Sequence, residues 1–247
     1  MKTNILGVEF DNISFDQTQE KIWEFIQGNK PKSLYTPNPE IVMRARKDPD
    51  FMEVLNRGDL VIPDSVGIVL ASRFGQNKIP RRVTGYDTVQ ALFARIKNTD
   101  KTVYFYGAPP GVAELAKAKM EEEHKGLKII GVSHGFIDEP DQARMIDEIK
   151  ALKPDILIVG LGAPKQERWI ERHKDNLPCK LLIGAGGSFD GMSGRIPRVP
   201  KFIGDIGLEW LYRLIREPSR FKRQLQLPLF MLVVIKERFI SSKKAHK

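Results

Sequence analysis

Hydrophobic residues fall along the chain in two alternating patterns: short apolar runs, and longer stretches with apolar positions at helical spacing. The runs DLVIP, TVYFYG, KIIGVS, DILIVGLG and CKLLIGAGG are apolar at successive positions, which predicts strands covered on both faces. NILGVEFDN reads as one further strand, and KSLYTPN as another that runs into helix at Pro39. Between them, QTQEKIWEFIQG puts Ile22, Phe25 and Ile26 on one helical face. TGYDTVQALFARIKN, GVAELAKAKMEEEHK, EPDQARMIDEIKAL and PKQERWIERHK are the other helical segments. Strand–helix alternation with strands this apolar predicts a Rossmann-like α/β fold: a mostly parallel sheet, right-handed crossovers and helices on both faces.

The pattern changes near residue 195. GDIGLEWLYRLIREP predicts an amphipathic helix, and SRFKRQLQLPLFMLVVIKERF a further helix with a break near Pro228. Charge changes at the same place. The last 53 residues hold 13 Lys/Arg against 4 Asp/Glu, while the first 194 carry 27 of each. The net charge of +9 therefore sits wholly in the tail. Arg213, Arg216, Arg220 and Arg223 follow a 3-4-3 spacing that lines one helical face, although Pro218 interrupts it. Trp210, Leu211, Leu214, Ile215 and Phe221 interleave with them, so the element suits an anionic membrane surface. The chain thus divides into an α/β core, 1–194, and a basic helical appendage, 195–247. Leu208, Leu211 and Ile215 leave open whether the appendage packs on the core, on a second copy in a homo-oligomer, or on lipid.

Composition narrows the class. One cysteine, Cys179, excludes an internal disulfide, and the four histidines lack metal-ligand spacing. The N-terminus lacks a signal-peptide pattern, and the longest uncharged apolar run of the tail, LPLFMLVVI, is about half a bilayer span. A cytoplasmic protein, peripheral on the inner face of the plasma membrane, is expected.

Chemistry concentrates where strands end. YGAPPG, VGLGAPKQ and IGAGGSFDG supply Gly107, Gly162, Gly186 and Gly187 in turns at the carboxyl edge of a parallel sheet, where ligands bind. Glycine lets backbone N–H groups approach a phosphate, and three such turns favour a nucleotide-type ligand. None is a Walker loop, and GLGAPK lacks the third glycine of the dinucleotide fingerprint. Thr36 and Asn38 lie where a strand gives way to helix, Asp64 follows LVIP, Arg82 stands in a polar loop, and Gln166 opens a helix after Gly162. A parallel sheet would bring these five to one edge. Asn38 before Pro39 also has the form of an N-cap, as does Asp64 before VGIV. Asp48 to Asp50, DPD, matches an Asp-x-Asp metal pattern but lies between two helical segments, and reads as a capped helix break. The fold alone leaves a nicotinamide- or methyl-donor enzyme open, and the tail alone a nucleic-acid binder.

Five motifs in order, TPNPEIV, IPDSVGIV, RVTGYD, LGAPKQERWI and GAGGSFDGMSG, resemble the TagA/WecG/CpsF family of bacterial glycosyltransferases across nearly the whole chain. The resemblance implies transfer of N-acetylmannosamine from UDP-N-acetylmannosamine to the 4-hydroxyl of N-acetylglucosamine on undecaprenyl diphosphate. It implies a β-1,4 linkage, inversion, and neither metal nor cofactor. It also implies Asp64 as general base, Thr36, Asn38, Arg82 and Gln166 as substrate-binding residues, and Arg213, Arg220 and Arg223 as completing the site at the membrane. Nucleic acid is not an implied partner.

Overall fold

The computed structural model describes residues 1–75, 77–196 and 226–245, with side-chain surroundings as far as residue 238. In chain order the elements begin with β1 (Lys2–Ile5), β2 (Val8–Asp11), α1 (Phe15–Gln27) and β3 (Lys32–Tyr35). Next come α2 (Pro39–Ala45), α3 (Pro49–Asn56), β4 (Leu60–Val61), α4 (Val66–Ser72) and α5 (Gly85–Ile96). Then follow β5 (Thr102–Gly107), α6 (Val112–Glu123), β6 (Lys128–Ser133), α7 (Glu139–Leu152) and β7 (Ile156–Gly160). The last are α8 (Lys165–His173), β8 (Leu181–Gly184), α9 (Ser188–Met192) and α10 (Gln226–Ala245).

Six strands form a parallel sheet in the order β4-β3-β8-β7-β5-β6, as the apolar runs predict. Alternate residues of one strand feed two cores. In β7, Leu157 and Val159 join the cluster with Phe51, Trp169 and Ile170. Ile156 and Ile158 join the opposite cluster with Phe25, Phe93 and Met192. A run apolar at every position is what a strand covered on both faces requires.

The N-terminal expectation needs correction. NILGVEFDN is not one strand: β1 and β2 make a separate antiparallel hairpin, with Ile5 opposite Val8. The intervening Leu6 and Gly7 have φ of 52° and 96°, the handedness of a tight two-residue hairpin turn. Leucine is not a usual residue there, so the turn carried no signal.

The tail falls only partly within the described residues. Residues 226–245 form one helix that includes Pro228, and the part of the expected helix before residue 226 lies outside the described residues. Phe230 is fully buried and Val234 nearly so, both within the first core cluster, where α10 packs on α2 and α4. Glu237 of α10 pairs with Arg46, just past α2. Among the described residues, no helix is long and apolar enough to cross a membrane.

Candidate active site

The carboxyl edge of the sheet gathers the polar strand ends. Ile62 N–H donates to the Tyr35 carbonyl at 2.9 Å, carrying the β3–β4 pairing one residue further, and Pro63 then turns the chain. Asp64 follows, half-buried. The N-cap of α4 is Ser65, whose hydroxyl accepts the Gly67 N–H at 3.0 Å. Capping thus falls one residue after the carboxylate. Val83 N–H donates to the Pro63 carbonyl at 3.0 Å. One backbone hydrogen bond therefore ties the turn carrying Asp64 to the loop carrying Arg82.

Thr36 links this corner to the centre of the sheet. Its hydroxyl donates to the Gly184 carbonyl at 3.4 Å, and a Cβ at Gly85 would lie 3.0 Å from its methyl group. A side chain at Gly85 of α5 would therefore press on Thr36, just past β3. Asn38 is the N-cap of α2, its side-chain oxygen accepting Ile41 N–H at 3.1 Å. A Cβ at Gly67 would lie 2.9 Å from Pro39 and 2.7 Å from Leu227 of α10. The last helix thus reaches the neighbourhood of Asn38 and Asp64. No feature of the sequence announced that contact.

Gln166 is 2% exposed, and its carboxamide oxygen accepts two N–H groups, from Gly162 at 3.2 Å and Gly186 at 2.9 Å. One buried side chain therefore fastens the glycine turn after β7 to the turn after β8. Gly162 and Gly186 have φ of 74° and 51°, which glycine adopts without strain. Arg44 of α2 steadies the same turn, donating to the Ala163 carbonyl at 2.6 Å. Gly187 is exposed at the N-cap of α9.

Gly107 closes the third turn. Its φ is 134°, and an added Cβ would lie 2.5 Å from the Gly160 carbonyl group. Ala108 N–H donates to that same carbonyl at 2.9 Å. Gly107→Ala should destabilise the protein by about 2–3 kcal/mol, from strain plus clash. Urea unfolding measures this, and a loss near zero would show that the turn rearranges freely.

Beside Gln166, Glu167 is 1% exposed. Burial lifts its carboxyl to about 6, against the opposing pull of the Gln166 hydrogen bond and Arg44. The native pKa lies above the ordinary value of 4.5, so this group favours the fold fully at low pH. That contribution is lost as pH rises from about 4.5 through about 6. Glu167→Gln should thus gain up to about 2 kcal/mol at pH 7.5 and nothing at pH 4. Chemical denaturation at the two pH values reads the difference; equal gains at both would refute the assignment.

Asp48 has the structural role its position predicts. It is the N-cap of α3, accepting Phe51 N–H at 3.0 Å, and Arg168 of α8 holds its two oxygens at 2.8 and 2.6 Å. Cys179 is buried, which pushes its thiol up to about 12. Arg213, Arg220 and Arg223 lie outside the described residues.

A parallel sheet with polar side chains and glycine turns along its carboxyl edge is an architecture shared by many α/β enzymes, and comparison with known proteins narrows the class. Residues 3–244 match the model of the Glycosyl transferase WecG/TagA/CpsF family. The chain belongs to this family and is a glycosyltransferase. It is 37% identical over 234 residues to a Bacillus subtilis (strain 168) protein, covering 95% of this chain and 90% of the relative. A Bacillus spizizenii relative is 34% identical over 219 residues, with coverage of 89% and 84%. A Staphylococcus aureus (strain MRSA252) relative is 30% identical over 237 residues, with coverage of 95% and 92%. All three are named N-acetylglucosaminyldiphosphoundecaprenol N-acetyl-beta-D-mannosaminyltransferase.

Proposed function

We propose that this glycosyltransferase moves N-acetylmannosamine from UDP-N-acetylmannosamine to the 4-hydroxyl of N-acetylglucosamine on undecaprenyl diphosphate. The transfer inverts the anomeric carbon, gives a β-1,4 linkage and uses no metal. The observation that carries this reading is the hydrogen bond from Val83 to the Pro63 carbonyl, which puts the Asp64 turn beside the Arg82 loop. Both stand on the sheet edge that also holds the glycine turns.

Asp64 acts as general base. It takes the proton of the acceptor hydroxyl as that oxygen attacks the anomeric carbon, while the bond from that carbon to the UDP oxygen breaks. Inversion is a single displacement, so one carboxylate suffices. UDP departs with charge on its diphosphate, which the Arg82 guanidinium and the N–H groups of the glycine turns offset electrostatically. Thr36, Asn38 and Gln166 bind substrate, and the tail arginines Arg213, Arg220 and Arg223 complete the site at the membrane. A lipid-linked acceptor requires work at a membrane. The basic tail supplies attraction to anionic lipid on the cytoplasmic face.

Metal independence fits the engagement of Asp48, the first carboxylate of DPD, by a helix N–H and by Arg168. UDP should stabilise the protein against heat by about 2.7 kcal/mol at a hundredfold excess over its Kd, with or without EDTA. Stabilisation by NAD or S-adenosylmethionine but not by UDP would overturn the reading. Stabilisation by UDP that EDTA abolishes would overturn its metal-free part.

A further inference from the structure

We propose that Glu167 is a positioning residue of this glycosyltransferase: it locks the carboxamide of Gln166 so that one oxygen holds the Gly162 and Gly186 turns together. The inference rests on the reading of these turns as the donor diphosphate site.

An amide side chain presents an oxygen on one side and an NH₂ on the other, nearly equal in shape and opposite in polarity. Two backbone donors, Gly162 and Gly186, need the oxygen. The NH₂ must then find an acceptor in a region closed to water. Glu167 Oε1 provides it, receiving Gln166 Nε2 at 2.9 Å. An ionised carboxylate can only accept, so it excludes the flipped amide, whose NH₂ would face two N–H groups.

The cost of this arrangement is visible. The second oxygen, Glu167 Oε2, is buried without a hydrogen-bond partner among the described residues. A side chain present only to fill space would not be an acid with an orphaned oxygen. Among the described residues, Arg44 of α2 is the cation whose field reaches it. Tyr35 of β3 donates its hydroxyl to the Glu167 backbone carbonyl at 3.4 Å, and that hydroxyl feels both Glu167 and Glu171 of α8. The carboxyl titrates near 6, within reach of an enzyme assay.

The experiment combines NMR and kinetics on the full chain. In the unaltered protein, the Gln166 side-chain NH₂ signals should shift with pH around a midpoint near 6, and Glu167→Gln should abolish that titration. Glu167→Leu should speed hydrogen exchange of the Gly162 and Gly186 amides by at least about tenfold relative to the remaining core amides. It should also raise the KM for the UDP-sugar by about tenfold while the acceptor KM stays unchanged. Glu167→Gln, which keeps an acceptor oxygen, should restore most of the donor affinity.

Gln166 signals that ignore pH, or Gly162 and Gly186 amides equally protected in Glu167→Leu, would overturn the proposal. An equal rise in both KM values would also overturn it, because that is the mark of general loosening. If Glu167→Leu does not fold, the Gln166 titration in the unaltered protein decides the matter. A protein that transfers no sugar fails the functional reading, while both amide measurements still judge Glu167 by themselves.

Discussion

Asp64→Asn should lower turnover by about 10²–10⁴-fold, the usual contribution of a general base, while leaving UDP affinity close to normal. The change is nearly isosteric, but a neutral amide cannot take the acceptor proton. The structure makes this a sharper test than the sequence did. Read from the sequence, Asp64 could have been the helix cap, and its loss would then appear as instability. Ser65 holds that position, accepting the Gly67 N–H. Unfolding of Asp64→Asn measured beside its turnover separates the two roles, and the turnover loss should far exceed any stability loss. A turnover loss below about tenfold would remove Asp64 from the role of base. Equal losses in stability and activity would make it a structural carboxylate.

Phe230→Ala should destabilise the whole protein by about 3–5 kcal/mol, the cost of deleting a fully buried aromatic ring. The ring sits in the core cluster that also holds Tyr35, Val42 and Ile68, and its exposure is 0%. For a domain with a total stability of about 5–15 kcal/mol, such a loss is severe. Urea denaturation followed by circular dichroism measures it. A loss below about 1 kcal/mol would mean that α10 only rests on the surface. Activity should fall as well, since Leu227 of the same helix lies close to Gly67 beside the candidate site.

The parallel sheet was legible in the sequence because its strands are apolar at every position, a demand that only two-sided burial imposes. The glycine turns were legible for a related reason. Gly107 has a positive φ and Gly85 a close contact that disfavours any side chain. The hairpin of β1 and β2 was not legible, because Leu6 takes a left-handed conformation that leucine rarely adopts. The candidate residues could be named from the sequence, but not the hydrogen bonds that join them. Gln166 stood out after Gly162, whereas its ties to two turns depend on how β7 and β8 lie side by side.

Glu167 passed unnoticed although a signal existed. It lies three residues before Ile170, and Gln166 three before Trp169, so both share the buried face of α8. Reading that helix for polar residues on its apolar face would have found the pair. The packing of α10 on α2 and α4 had no such signal, because contacts between distant segments leave no local periodicity.

The most direct test of the functional account is mass and linkage analysis of the product. The reaction would contain the full chain, UDP-N-acetylmannosamine, a diphosphate lipid bearing N-acetylglucosamine, and EDTA. The account predicts an acceptor heavier by one N-acetylhexosamine, joined β-1,4, with one UDP released per transfer. An unmodified acceptor, a different linkage, or UDP released by hydrolysis alone would contradict it.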